Sequence, residues 1–202
     1  MPERLAIVGG DAAGMSAATT AKRRRRDLEV VAFERGPYTS YSACGIPYFV
    51  GGLFGDADRL ISRSPEEHRA GGLGVHTRTE VRAVDLDRRE LTVFDRYERQ
   101  ERQERFDQLV LATGAVAVDP PIPGAEAIEP ARTVDAAERF RVSIERGGRT
   151  AVVIGAGYIG LEMAENLVNH GLAVTVVDQA DQVFGSIDKD MAAHVQDGVE
   201  AH

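Results

Sequence analysis

Short unbroken apolar runs alternate along this chain with stretches in which apolar residues return every three or four positions, the pattern of buried strands separated by amphipathic helices. Leu5–Val8 is one such run. Gly9-Gly10-Asp11-Ala12-Ala13-Gly14 follows, then an alanine-rich helical stretch to about Arg25, then a strand over Val30–Phe33 that ends at Glu34. Strand, glycine turn, helix and strand in that order predict a parallel pair joined by a right-handed crossover. Gly36–Gly55 keeps no period, and a short helix is expected near Cys44. At Ser64-Pro65-Glu66-Glu67, a capping serine, a proline at the first helical position and a glutamate three residues on predict a helix that stops by Gly71-Gly72. Three β segments are expected near Val75–Thr79, Val81–Asp85 and Glu90–Phe94, with the charged stretch Asp95–Arg105 as a solvated hairpin extension. Leu109–Ala112 reads as another buried strand, running into Thr113-Gly114, and the proline-rich stretch 115–130 as a crossing between lobes.

The opening pattern then returns. After a helix over Val134–Glu145 come a strand, Ala151–Ile154, the turn Gly155-Ala156-Gly157-Tyr158-Ile159-Gly160, a helix over Leu161–His170 and a strand, Val174–Val177, ending at Asp178. A last helix is expected over Asp188–Glu200. One motif used twice, about 146 positions apart, organises the whole chain. It divides into a first lobe, 1–120, and a second, 121–202.

Composition narrows the chemistry. With 202 residues and a formal net charge of -8, the chain can bury one substantial core or two small ones, and nucleic acid or an anionic membrane is not expected as its main partner. No run approaches the roughly 18 apolar residues that span a bilayer, and Met1–Pro2–Glu3–Arg4 leads straight into a strand rather than a signal peptide, so a cytoplasmic protein is expected. A single cysteine, Cys44, excludes an intrachain disulfide, and five scattered histidines offer no metal-ligand spacing.

Pyrophosphate binding needs a strand that feeds a tight turn, small residues for close approach, and a helix N-terminus whose free N–H groups face the anion. Gly155, Gly157 and Gly160 fit this fully, and Asp178, 23 residues after Gly155, stands where a carboxylate accepts from a ribose diol and repels a 2′-phosphate. NADH is therefore expected over NADPH. The first copy has Gly9 and Gly14 but Asp11 in the middle position, where an anion is unfavourable unless it turns away, for instance to cap the helix. Glu34, 20 residues after Gly14, supplies the matching carboxylate.

Ile7–Ala18, Glu34, the run Ser40-Tyr41-Ser42-Ala43-Cys44-Gly45-Ile46-Pro47-Tyr48, the LVLATG run Leu109–Gly114, and Val153–Glu162 together resemble the two-dinucleotide flavoprotein disulfide reductases. The resemblance is closest to the single-cysteine branch of coenzyme A-disulfide reductases, NADH oxidases, NADH peroxidases and persulfide reductases. It implies an α/β fold of two Rossmann-like, three-layer dinucleotide-binding domains. Residues 1–120 would be the FAD-binding domain and 121–202 the NAD(P)H-binding domain, both incomplete at the C-terminal side, with the dimerisation domain of a homodimeric full-length form absent. By the same resemblance Gly9, Gly14, Glu34, Arg35, the backbone at Val81, Thr113 and Gly114 hold FAD. Gly155, Gly157, Tyr158, Ile159, Gly160, Glu162 and Asp178 line the NADH site, with Tyr158 as a gate over the flavin and Glu162 near the nicotinamide. Without the resemblance, Tyr158 reads as a packed aromatic and Glu162 as a first-turn acid favoured by the helix dipole.

Cys44 lies in a Ser-, Gly- and Pro-rich stretch rather than on an apolar face, and at a helix start its thiolate would be stabilised. The resemblance makes it the catalytic residue that takes electrons from NADH through flavin. With no second cysteine, its oxidised form is a mixed disulfide or a sulfenic acid. Oxidases and peroxidases of the branch resemble one another in a histidine within the first glycine turn, where this chain has Ala12, which favours a small disulfide such as coenzyme A disulfide. Lys22 and Arg23 match basic positions that meet that substrate's phosphates; Ser40 and Ala43 complete the candidate substrate set, Ala43 replacing an asparagine frequent in coenzyme A-specific relatives. Cations at a helix C-terminus are favoured in any case. The competing reading is a nonenzymatic flavin- or nucleotide-binding remnant.

Overall fold

The computed structural model describes residues 2–201. They form two compact units: one comprises the chain up to Ser42 together with Asp58–Val118, the other Ala43–Ala57 together with the chain from Asp119 on. The stretch carrying Cys44 is thus built into the second unit, although the sequence division ran continuously to residue 120.

In the first unit, β1 (Arg4–Val8), α1 (Ala12–Arg24) and β2 (Glu29–Phe33) form the expected crossover, with β1 and β2 parallel and Ile7 beside Ala32. The capping box forms as expected. Ser64 accepts from the Glu67 N–H, the Glu67 carboxylate accepts from the Ser64 N–H, and α3 spans Pro65–Ala70 in the second unit's sequence gap. The strand expected at Val75–Thr79 is shorter, β3 (Gly74–His76), and pairs in parallel with β2. β4 (Thr79–Asp85), β5 (Glu90–Asp95) and β6 (Gln100–Arg105) make a separate antiparallel sheet, so the charged extension is a regular strand. β7 (Gln108–Leu111) pairs with β1, completing a parallel sheet of order β3-β2-β1-β7. As an edge strand it is half-exposed, not buried as its apolar run suggested; Leu111 faces solvent.

Period-two burial explains the layering. Leu5, Ile7, Val30 and Ala32 face Met15 and Ala18 of α1, while Ala6, Val8, Val31 and Phe33 face Leu91, Val93 and Phe106 of the antiparallel sheet and its exit. The parallel sheet is buried on both faces, which is why its strands read as unbroken apolar runs.

In the second unit Cys44 lies within a 3-10 turn, Ala43–Gly45, ahead of α2 (Ile46–Val50). α2 packs on α4 (Val134–Glu145) and α5 (Tyr158–Asn169). β8 (Thr150–Ile154) and β9 (Ala173–Val177) pair in parallel as a two-stranded sheet, and α6 (Lys189–Glu200) follows. Val152, Ile154 and Val177 of this sheet are exposed. Among the described residues no helix is long and apolar enough to cross a membrane.

Candidate dinucleotide turns and cationic cleft

The two glycine turns are one piece of geometry built twice. Gly9 N–H donates to Phe33 O at 2.9 Å, and Gly155 N–H to Val177 O at 2.8 Å. Gly9 and Gly155 have φ of +109° and +108°, a region closed to most side chains. A Cβ at Gly14 would lie 1.9 Å from Gly9 O, and one at Gly160 1.9 Å from Gly155 O. Only glycine lets each helix lie this close to the turn that feeds it. The acidic residues match too. Glu34 accepts from Gly10 N–H (2.7 Å) and Gly36 N–H (2.6 Å); Asp178 accepts from Ala156 N–H (2.5 Å) and Ala180 N–H (2.7 Å). The N–H groups of Ala156, Ala180 and Gln179 hold the Asp178 carboxyl below the usual range, so it is ionised at neutral pH.

These turns fit a dinucleotide. Each carboxylate oxygen uses one lone pair on the backbone and keeps another for a ribose hydroxyl. A Cβ at Gly155 or at Gly157 would meet nothing within 4 Å, so open space stands before the second turn. Around the first turn, Gly9 packs on the backbone of Ala112 and Thr113, and Gly114 follows in sequence with φ +64°. Arg35 is exposed next to Glu34, and Val81 sits at a bulge in β4. Asp11 stands at the N-cap position of α1, yet its side chain makes no capping hydrogen bond and instead accepts from Tyr41 N–H at 3.2 Å. Burial, opposed by the Ala12 and Tyr41 N–H groups, raises its carboxyl above the ordinary value.

α5 begins at Tyr158, three residues earlier than the sequence suggested, so Glu162 falls in its second turn and cannot be a first-turn acid. Tyr158 is exposed and tilted against Phe184, with ring centroids 6.4 Å apart; Ile159 is exposed beside it. Cys44 and Ala43 are exposed.

A cleft of about 380 Å³ in the first unit is lined by Lys22, Arg23, Arg26, Arg63, Glu67 and His68 among others. Lys22 Nζ donates to the carbonyls of Arg26 (3.1 Å) and Leu28 (2.8 Å) in the segment that follows α1. Arg23, Arg26 and Arg63 make no salt bridge among the described residues, so the cleft is cationic on a protein of net charge -8. An adjoining cleft of about 440 Å³ is lined by Ser40, Asp11 and Tyr41 and shares Arg63 and His68 with the first. Sequence reasoning found Lys22, Arg23 and Ser40 but missed Arg26, Arg63 and His68. The last two come from the capped α3 region, far along the chain, and carry no local motif.

Two parallel strand–turn–helix units, each ending in a carboxylate, define a two-dinucleotide α/β protein. Residues 3–202 match the pyridine nucleotide-disulphide oxidoreductase family. The chain belongs to that family. It is 36% identical over 202 residues to an NADH oxidase of Methanocaldococcus jannaschii, covering 98% of this chain and 45% of that protein. It is 34% identical to an NAD(P)H coenzyme A polysulfide/persulfide reductase of Pyrococcus horikoshii, covering 100% of this chain and 45% of that one. Among solved structures, reduced Bacillus anthracis CoADR-RHD matches with a TM-score of 0.95 at 33% identity, over 100% of this chain and 37% of the other. The chain thus spans under half the length of the curated relatives it matches.

Proposed function

We propose that this chain carries the FAD turn, the NADH turn and the redox cysteine of a cytoplasmic flavoprotein that reduces a small, phosphate-bearing disulfide of the coenzyme A class, and that its full-length form is a homodimer. The observation that carries the reading is the duplicated turn with its paired carboxylates at Glu34 and Asp178. The net reaction is RSSR + NADH + H⁺ → 2 RSH + NAD⁺.

Bound FAD supplies the two-electron relay that amino-acid side chains lack. The chain's own residues do the rest. The first N–H groups of α1 and α5 receive the two pyrophosphates, and Glu34 and Asp178 fix the riboses by accepting from their hydroxyls. Asp178, ionised, excludes a 2′-phosphate. Tyr158, Ile159 and Glu162 border the nicotinamide, while Arg35, the Val81 backbone, Thr113 and Gly114 border the flavin. Cys44 attacks one substrate sulfur as thiolate, forming a mixed disulfide and releasing the first thiol; two electrons and a proton then free the second thiol and restore Cys44. Arg23, Arg26 and Arg63 hold the substrate phosphates in the cationic cleft, with Lys22, Ser40 and Ala43 completing that site.

The test is anaerobic spectroscopy on protein saturated with FAD. NADH should bleach the flavin band, and coenzyme A disulfide should restore it. Cys44→Ser should keep flavin binding and bleaching but lose the disulfide-dependent recovery by at least about a hundredfold, a nucleophile contributing on that order or more. Absence of flavin binding, or full recovery in the Cys44→Ser protein, overturns the proposal.

A further inference from the structure

Ser40 and His68 meet where the two clefts of the first unit join. His68 is 3% exposed, its Nε2 is 2.9 Å from Ser40 Oγ, and its Nδ1 is buried without a hydrogen-bond partner. Ser40 is held in a left-handed backbone conformation, φ +50°, that a non-glycine residue adopts only when its surroundings impose it. Those surroundings are specific. Ser40 N–H donates to Gly10 O in the first glycine turn at 3.1 Å, and Ser40 O accepts from Ser62 N–H at 2.8 Å. Ser40 is thus held by three elements at once, its backbone by the first glycine turn and Ser62 and its hydroxyl by His68, beside a cationic cleft.

We propose that His68 is a positioning residue for this cleft: its Nε2–H donates to Ser40 Oγ, so that the Ser40 hydroxyl proton is turned to donate to an oxygen acceptor on the bound substrate. The inference rests on the reading that the clefts take a phosphate-bearing thiol compound, and adds a residue and a proton to it. A hydroxyl has one proton, and an oxygen that already receives an N–H must direct its own proton elsewhere. The tautomer follows from the surroundings. A proton on Nδ1 would be a buried donor with no acceptor, against the rule that such donors are almost always paired. Burial and then the Arg63 charge hold the imidazole below its ordinary 6.5, with Glu67 opposing, so the ring is neutral and carries one proton. The other charged groups at the clefts are Lys22, Arg23 and Arg26, with Asp11 and the Tyr41 phenol on the second side. The net cationic field disfavours a second proton on the ring.

Two measurements test this. In ¹⁵N-labelled protein at pH 7.5, long-range ¹H–¹⁵N correlation of the His68 ring should show the proton on Nε2; a ring protonated on Nδ1 overturns the proposal whatever the binding data. Titration calorimetry with coenzyme A, a ligand that does not turn over, should show Ser40→Ala and His68→Phe each weakened about tenfold, on the scale of one hydrogen bond to a charged acceptor. The double variant should be no weaker than either single one, because both remove the same bond. His68→Gln places an N–H near the Nε2 position and should recover affinity to within about threefold of wild type, a rescue that a packing role does not predict. Additive losses, or wild-type affinity in a folded His68→Phe protein, overturn the inference while leaving the proposed function standing. A wild-type protein that binds no coenzyme A overturns both. Should His68→Phe not fold, the ring tautomer and the Ser40→Ala, His68→Gln pair still decide.

Discussion

Gly160→Ala and Gly198→Ala make the same chemical change on two helices of the second unit and should move stability in opposite directions. At Gly198, near the end of α6, an added Cβ meets nothing within 4 Å, so alanine should stabilise by about 0.5–1 kcal/mol through helix propensity alone. At Gly160 the same propensity gain meets a Cβ placed 1.9 Å from Gly155 O and 3.0 Å from Gly155 C. Ordinary C···O contact begins near about 3.3 Å, so the turn must retreat by roughly 1.4 Å. That retreat pulls on the Gly155 N–H to Val177 O bond of 2.8 Å. Overpacking of backbone against backbone belongs at the upper end of the usual range, about 3 kcal/mol, and propensity returns about 1, for a net loss of about 2 kcal/mol. Urea melts followed by circular dichroism should separate the two variants by about 2.5–3 kcal/mol, and NADH titration should show Gly160→Ala weakened more than its stability loss explains. If Gly160→Ala melts at or above wild type, the close approach of α5 to its turn does not exist, and the argument for a pyrophosphate cradle there fails with it.

Asp178→Ser should lose the repulsion that excludes a 2′-phosphate and shift the NADH-over-NADPH preference toward NADPH by about tenfold or more, read as the ratio of dissociation constants; an unchanged ratio refutes the role. Ser64→Ala should cost about 1 kcal/mol by removing the cap of α3, measured as a urea midpoint shift with unchanged slope. His68 and His76 are both held below 6.5 in the folded chain, chiefly by burial, so the unfolded chain binds more protons just below that value. Stability should therefore fall as pH drops from 7 through 6.5 and level off below the folded-state values, and the His68→Gln, His76→Gln double variant should flatten that segment; an unchanged slope refutes it.

Most of the architecture was legible because its strands are buried on both faces. Leu5–Val8 and Val30–Phe33 are unbroken apolar runs for that reason, and Gly9 ends the first. The partner of the Val75 strand was not legible, since three residues of strand carry no record of it; pairing with β2 is a long-range fact. Leu109–Leu111 misled in the other direction, an apolar run on an edge strand. The glycine turns and their carboxylates were legible in full, being local in sequence. The cleft was not: Arg63 and His68 reach α1 only through the chain reversal that follows Ser40, and no spacing announces that.

The two turns also differ at their middle position, and under the proposed function the difference suits separate roles. Asp11 and Gly157 occupy the same place, 146 positions apart, with nearly the same backbone: φ -102°, ψ -158° and φ -75°, ψ 177°. Neither conformation requires glycine, so the middle glycine of the second turn is there for room, and the room is present, open beyond 4 Å. In the first turn a carboxylate stands there that accepts from Tyr41 N–H and ties the turn to the segment between Ser40 and Cys44. A turn that must admit and release a nicotinamide cofactor at each cycle gains from an open face. A turn that holds its dinucleotide throughout can give that face to a structural tie. Under the proposed function, the departure from the glycine pattern is what a permanently held FAD permits at the first turn, and the open second turn suits an NADH that exchanges.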